Sequence, residues 1–539
     1  MAIAGCTCSG KKRVAELRRD VLFSLSLANL CFLEPWWAVL DPSPNYWRGA
    51  ATPNEYLAVM LDVLLLAAAF FFTLTVVRRL DRPFAWKAVR AGLGLLLLIP
   101  LNFLRLHTPG LPLSHLSRRF GPWVLWVSVI ALGLVFVLVL VRRLELFGRA
   151  AGFLVLLFSP LVPMLFAQAI WLMLHPQPDG GNRHTYALAA TDASRPRVLW
   201  LIFDELDQRV VFGERPASVR LPEMDRLRSQ AIYASNAFPP TDRTISSLPS
   251  LINGRVVTYA KPAGANELMI TYAGPGGPVP WSTQPTVFSR ARDAGFNTAL
   301  VGWWHPYCRV LGNSLTFCSQ RLVGDTEPTS GVPLLLLDGF RELAGSFPAA
   351  TRLSLFASIH RWERTPENNV ACAGYLEILT DSKKVVADPA FGLVFIHWPV
   401  PHFPFIYSRS RNDFALDGSG TYLDNLVLAD RTLGEVRQAM ESAGTWENTT
   451  VLISSDHGLR PYADDLPPAW GSRGRTYRRV PFLMKLRRQI QAIAYDAPFN
   501  TVVSCDLVLA LLRGELSSTA NVIQWIDQHR VPGGRDKLP

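Results

Sequence analysis

Nothing in this chain of 539 residues has the make-up of a nucleic-acid binder, although its formal net charge is +11. Zinc-finger spacing, an arginine–aromatic ladder and RNA-binding signatures are all missing. Cysteine is sparse, and Cys6-Thr7-Cys8 lacks the spacing of a zinc knuckle. Cys308 and Cys318 flank a short loop suited to a disulfide in an oxidising compartment, while a pairing of Cys372 with Cys505 stays open. No internal repeat stands out. A cleavable signal is not expected either, because the first apolar run has no small-residue cleavage site and is followed by further runs.

What the chain does have is length and apolar residues. Its length exceeds what one soluble core needs, so at least two domains are expected. The 49% apolar content and positive mean hydropathy point to membrane segments. Five hydrophobic runs, at 21–40, 56–77, 86–104, 122–141 and 151–174, each approach the roughly 20 residues that cross a bilayer. Lys11, Lys12, Arg13, Arg18 and Arg19 precede the first run. Arg78, Arg79, Arg82 and Lys87 join the second to the third, and Arg142, Arg143 and Arg149 join the fourth to the fifth. The opposite loops carry only Arg48, and then Arg105, Arg118 and Arg119. This excess places the amino terminus in the cytoplasm and everything after residue 175 outside. Glu34, beside Pro35-Trp36-Trp37, and Asp62 are the two carboxylates inside expected spans. Neither is read as catalytic: Glu34 fits the outer interface, and Asp62 a pairing between helices.

Residues 176–196, with Pro176, Pro178, Gly180 and Gly181, read as a linker. The expected domains are therefore 1–175 (five transmembrane helices), the linker, and a soluble domain over 197–539. In that domain short apolar runs alternate with helical stretches, the pattern of an α/β fold. Several runs end in residues that hold metals or move protons. Arg197–Phe203 ends in Asp204-Glu205. Gly295–Trp304 ends in His305. Phe391–Ile396 ends in His397, with His402 close behind. Thr450–Ser455 ends in Asp456-His457-Gly458. In open α/β sheets the binding crevice lies beyond the carboxyl ends of the strands. Asp and His there suit a divalent cation. The stretch after Thr244 opens a helix, which would set that hydroxyl at the positive end of the helix dipole.

Taken in order, these motifs resemble the alkaline phosphatase and sulfatase superfamily over roughly 195–515. Val198–Glu205 is similar to the first, metal-binding strand. Thr244 takes the nucleophile position, counted back from Asn253-Gly254-Arg255. Gly295–His305 is similar to the second sulfatase signature, and Pro401-His402-Phe403-Pro404 to the H-x-P element. Asp430, Asn448-Thr449 and Arg479-Val480-Pro481 fall where that pattern places them. Spans followed by an external domain resemble the lipoteichoic acid synthases and phosphoethanolamine transferases. The resemblance implies an alkaline-phosphatase-like α/β domain with a mostly parallel central sheet behind the five-helix bundle. It also implies a bacterial inner-membrane location with a periplasmic or extracellular catalytic domain. Three positions depart from the sulfatase C/S-x-P-x-R motif. Thr244 cannot become formylglycine, Ser246 replaces the proline and Leu248 the arginine. Trp303 replaces a lysine, and Asp456-His457 replaces Asp-Asn, which favours zinc or manganese over calcium.

The resulting expectation is metal-dependent transfer of a phosphoryl-linked group, of phosphoethanolamine or phosphoglycerol type, from a lipid or envelope donor. Asp204, Glu205, Asp456 and His457 would hold the metal with the oxygen of Thr244. Thr244 would attack, His402 and His305 would stabilise charge or protonate the leaving group, and His397, Arg473 and Arg475 would bind substrate. Thr241 is the competing nucleophile. The alternatives are a sulfatase-like hydrolase of sulfate or phosphate esters and an inactive membrane binding module. The oligomeric state is left open.

Overall fold

The computed structural model describes residues 4–80, 82–108, short stretches between 123 and 138, 142–176, 181–189, 195–322, 331–345, 367–459 and 479–531. The chain divides into two compact units that interleave in sequence: Pro42–Gly49 falls in the second unit, and the segment Glu327–Trp362 in the first.

The first unit is helical. It contains α1 (Ala4–Cys31) and α2 (Leu33–Leu40), and later α4 (Pro53–Arg79), α5 (Pro83–Leu95), α6 (Leu98–His107), α7 (Leu144–Leu157) and α8 (Leu161–Leu174); α3 (Pro42–Arg48) belongs to the second unit. Among the described residues three stretches, Pro53–Arg79, Pro83–His107 and Leu144–Leu174, are long and apolar enough to cross a membrane. A fourth is counted if the bent pair Val14–Cys31 and Leu33–Leu40 is one span. The run expected at 122–141 lies mostly outside the described residues. Pro53 sits in the first turn of α4 behind a Thr52–Glu55 capping box, so that helix starts where its unpaired N–H groups are satisfied. Asp62, buried in α4, faces Gly339 of the amphipathic helix Val332–Gly345 so closely that a Cβ there would collide with it.

The second unit is built on a nine-stranded sheet. In chain order its strands are β1 (Arg183–Thr185), β2 (Val198–Phe203), β3 (Ile232–Ala234), β4 (Thr298–Trp303), β5 (Phe317–Arg321), β6 (Leu393–Trp398), β7 (Thr450–Ser455), β8 (Phe482–Lys485) and β9 (Ile493–Tyr495). Across the sheet the order is β1-β5-β4-β6-β2-β7-β8-β3-β9. The five central strands β5, β4, β6, β2 and β7 are parallel. Strands β2, β4, β6 and β7 are buried at every position. Continuous apolar runs are what a parallel sheet covered on both faces requires. Two cores follow, one on each face. The first is built around Trp200, Leu251, Phe395 and Leu452, and the second around Leu201, Trp398, Leu426 and Ile453. Register aligns Phe203 with Trp398 on one side and with Ser455 on the other. The carboxyl ends of three strands therefore open at one level of one sheet edge.

Cys308 and Cys318 form the expected disulfide. Cys372 and Cys505 are buried free thiols, which closes the open question of their pairing.

Candidate active site

The parallel register brings Asp204, at the end of β2, next to Asp456 and His457, at the end of β7. All three are buried, and each offers one ligand atom within 4.8 Å of the others'. The His457 Nε2 lies 3.5 Å from Asp204 Oδ1 and 3.5 Å from Asp456 Oδ2. Its other ring nitrogen, Nδ1, is 2.9 Å from the Gly458 carbonyl. A carbonyl can only accept, so Nδ1 carries the proton, and in the neutral ring the Nε2 lone pair faces the two carboxylates. Two buried carboxylates and one imidazole lone pair, with that ring oriented by a backbone carbonyl, make a donor set that fits a divalent cation. Without a cation, two buried carboxylates at this spacing would repel.

Hydrogen bonds hold the ligands from behind. Asp456 Oδ1 accepts from its neighbour's amide, His457 N, at 2.8 Å, and from Glu205 N at 3.4 Å. Ser247 Oγ donates to the Asp456 carbonyl at 2.5 Å, and Ser455 Oγ donates to Phe203 O at 2.6 Å. Burial pushes the Asp456 carboxyl up, but hydrogen bonds from the Thr244 hydroxyl and the His457 amide favour its charged form and help hold it low. Backbone strain gathers at the same edge. Glu205 has φ 62°, two residues past the end of β2, and Trp304 has φ 71°, directly after β4. Non-glycine residues in that region need surroundings that over-determine them. Glu205 is also tied by Tyr422, whose hydroxyl donates to its carbonyl at 2.8 Å. Its carboxylate lies outside the three-residue group.

Thr244 is the first residue of α9 (Thr244–Asn253), which ends at Gly254 in the left-handed conformation, φ 72°. The Thr244 Oγ1 lies 3.2 Å from His457 Nε2, and the residue is buried. Thr241 turns elsewhere: its hydroxyl is 2.8 Å from Ser246 Oγ and donates to Arg243 O at 3.2 Å.

The three remaining histidines occupy different layers. His397 is fully buried, with Nε2 3.9 Å from Asp204 Oδ2 and Nδ1 near Tyr307 OH (3.0 Å) and Trp303 O (3.2 Å). Burial pushes its pKa down to about 4. His305 lies against the start of α9. Its Nε2 is 3.1 Å from the Thr244 carbonyl and its Nδ1 is 2.6 Å from the hydroxyl of Tyr46. Nε2 must donate to that carbonyl, so Nδ1 accepts from Tyr46. Burial among Tyr46, Trp281, Trp304 and Tyr307 pushes its pKa down to about 3. His402 is partly exposed and meets Trp303 edge to face, ring centroids 5.3 Å apart. Arg473 and Arg475 lie outside the described residues. Asp430 caps another helix, accepting from Met224 N at 2.8 Å; burial pushes its pKa up to about 6.

Two contributors escape a reading of the sequence. Tyr46 belongs to α3, 259 positions before His305, and no local pattern marks it. Ser455 directly precedes Asp456-His457, and its hydroxyl is visible in the sequence but its donation to Phe203 is not.

Residues 375–513 match the Sulfatase family model. Among curated proteins, the chain is 21% identical over 406 residues to an N-acetylgalactosamine-6-O-sulfatase of Bacteroides thetaiotaomicron, covering 63% of this chain and 77% of that one. It is 34% identical over 106 residues to an ulvan-active sulfatase of Formosa agariphila, covering 18% and 19%. Among solved structures it is similar to the PsFucS1 sulfatase from a Pseudoalteromonas species, with TM-score 0.40 and 17% identity over 60% of this chain and 69% of that one. It is also similar to an alkaline phosphatase superfamily protein from Vibrio parahaemolyticus, with TM-score 0.36 and 12% identity over 61% and 69%.

Proposed function

We propose that this chain is a membrane-tethered, metal-dependent hydrolase of phosphate or sulfate esters, of the sulfatase-like kind, with Thr244 as its nucleophile. The observation that carries the reading is the approach of Thr244 Oγ1 to His457 Nε2, 3.2 Å, beside the Asp204–Asp456–His457 group. The sulfatase relatives and the family match over 375–513 support hydrolysis of an ester.

Asp204, Asp456 and His457, with the Thr244 oxygen, would hold the metal, zinc or manganese by donor type. The metal would lower the pKa of the hydroxyl and neutralise charge on the ester oxygens. Thr244 then attacks phosphorus or sulfur through Oγ, losing its proton, and the ester's alcohol leaves with a proton. Water attacks the resulting threonine ester and restores the hydroxyl. The first backbone N–H groups of α9 and its dipole favour the negative charge that develops at this helix end. His402, partly exposed on its loop, is assigned the proton for the leaving group. His397 and His305 stay neutral near pH 7, since burial lowers both. Their work is orientation: His397 stands against Asp204, and His305 steadies the backbone of Thr244.

A second reading replaces water with an acceptor alcohol, so that a phosphoryl-linked group is transferred from a lipid or envelope donor. It is favoured by Thr244, Ser246 and Leu248 standing where a sulfatase needs the residues for formylglycine. Turnover of phosphodiester, phosphomonoester and sulfate-ester model substrates, with and without an added alcohol, separates the two. Hydrolysis that is insensitive to alcohol supports the first reading. A product carrying the alcohol supports the second. Under either reading the basic loops lie in the cytoplasm and the catalytic unit outside.

A further inference from the structure

The helical unit contains a cavity of about 370 Å³ that the ester chemistry does not use. Its walls come from α1, α4, α5 and α7, at the end of the helices that carries the excess of lysine and arginine. Arg19, Arg90 and Arg149 line it together with a single carboxylate, Asp20. That carboxylate is already engaged by Arg78 at 2.5 Å. Arg149 is paired with Glu145 at 2.5 Å, and Glu145 is shared with Lys87 at 2.9 Å. Asp20 also acts electrostatically on Arg19 and Arg90, so this one carboxylate serves three guanidinium groups.

Arg90 is placed rather than dangling. It is half-buried, and its guanidinium lies 5.8 Å from the centroid of the Trp86 ring, which Arg78 approaches at 4.8 Å. A Cβ on Gly152 would lie 3.2 Å from the Arg90 Nη2, so the absence of a side chain on α7 leaves the room this guanidinium occupies. Guanidinium groups brought together in excess of carboxylates repel unless an anion sits among them, and phosphate oxygens match their donor geometry. The rest of the lining is apolar, with Phe23, Leu74 and Phe153 beside the arginines. A lining that combines guanidinium groups with apolar side chains suits a ligand with both parts.

We infer that this cavity binds a phosphate-bearing anion, with an anionic phospholipid as the molecule whose headgroup and acyl chains fill its charged and apolar parts. The site is independent of Thr244 and of the ester chemistry, although its lipid form rests on the helices spanning a membrane.

The test uses the full chain purified in detergent. It is titrated separately with phosphatidylglycerol, phosphatidylcholine and inorganic phosphate, and read by native mass spectrometry and by thermal shift. The expected result is a retained phosphatidylglycerol preferred over phosphatidylcholine about tenfold, a preference lost in Arg19→Gln/Arg90→Gln and kept in Arg90→Lys and in the exposed control Arg79→Gln. Inorganic phosphate that displaces the lipid and raises the melting temperature by itself supports the anion site and assigns it to soluble phosphate. Equal retention of both lipids with no response to phosphate overturns the inference. So does a double variant that binds like the parent. If the double variant does not fold, the parent's selectivity between the two lipids still decides. Activity of Thr244→Ala plays no part in the readout, so failure here and failure of the catalytic reading are separate events.

Discussion

At the scale of single residues the account separates groups that react from groups that hold. Thr244→Ala should lower kcat/KM by about a thousandfold or more, whereas Thr241→Ala should stay within about threefold, measured as metal-dependent initial rates. The Tyr46–His305–Thr244 chain of hydrogen bonds makes a subtler prediction. Tyr46→Phe removes one buried hydrogen bond, about 1.4 kcal/mol, and should lower kcat about tenfold with little change in KM. The histidines set the acid side of stability. His305 and His397 have folded pKa values of about 3 and about 4, below the ordinary 6.5. Between those values and 6.5 the unfolded chain binds more protons, so their contribution is complete above 6.5 and is lost as pH falls toward 4 and 3. The melting temperature of metal-free protein should drop over that window, and His305→Phe should flatten the drop in a calorimetric pH series. These side chains differ in how far the sequence reveals them. Asp204, Asp456 and His457 are legible because each lies at the end of an apolar run. The layer each histidine occupies is not. His305 and His402 both follow strands, yet one lies against the start of α9 and the other on a partly exposed loop. Tyr46 has no signal at all, because the contact that gives it meaning spans 259 positions.

At the scale of elements, the central sheet does the positioning. Strands β2 and β7 run parallel and in register from Thr450 and Val198 to Ser455 and Phe203. A slip of one residue would turn Asp456 to the other face. The apolar runs of this sheet are readable in the sequence because they are buried on both faces and bounded by turn formers. Strand order is not, since β2 pairs with β6 and β7, which lie far along the chain. Helix α9 is fixed at its other end by Gly254, with φ 72°, where an added Cβ would lie 3.1 Å from Cys505 Cβ. Gly254→Ala should cost about 1–2 kcal/mol in denaturant unfolding. It should also reduce activity through displacement of Thr244. Metal removal belongs to this scale as well. A chelator should abolish turnover and lower the melting temperature, because a ligand that binds only the folded site stabilises it, and added zinc or manganese should restore both.

At the scale of the whole molecule, an apolar helical unit and an α/β unit share one chain. Hydropathy alone reveals the helical unit, because its helices are long and apolar. The interleaving stays hidden, since a short helix such as Pro42–Arg48 has too few residues to declare which unit it joins. Cysteine labelling at positions 80 and 180 should find the first shielded from a membrane-impermeant reagent in intact cells and the second reactive, as the basic loops require. The full chain also allows the most direct test of the catalytic claim. Metal-loaded protein is quenched during turnover of a phosphodiester or sulfate ester, digested, and its peptides are weighed. The account predicts a phosphoryl or sulfuryl adduct on the peptide containing Thr244, mapped to its hydroxyl and absent from Thr244→Ala. Full turnover in Thr244→Ala, or an adduct mapped to another residue, would contradict it.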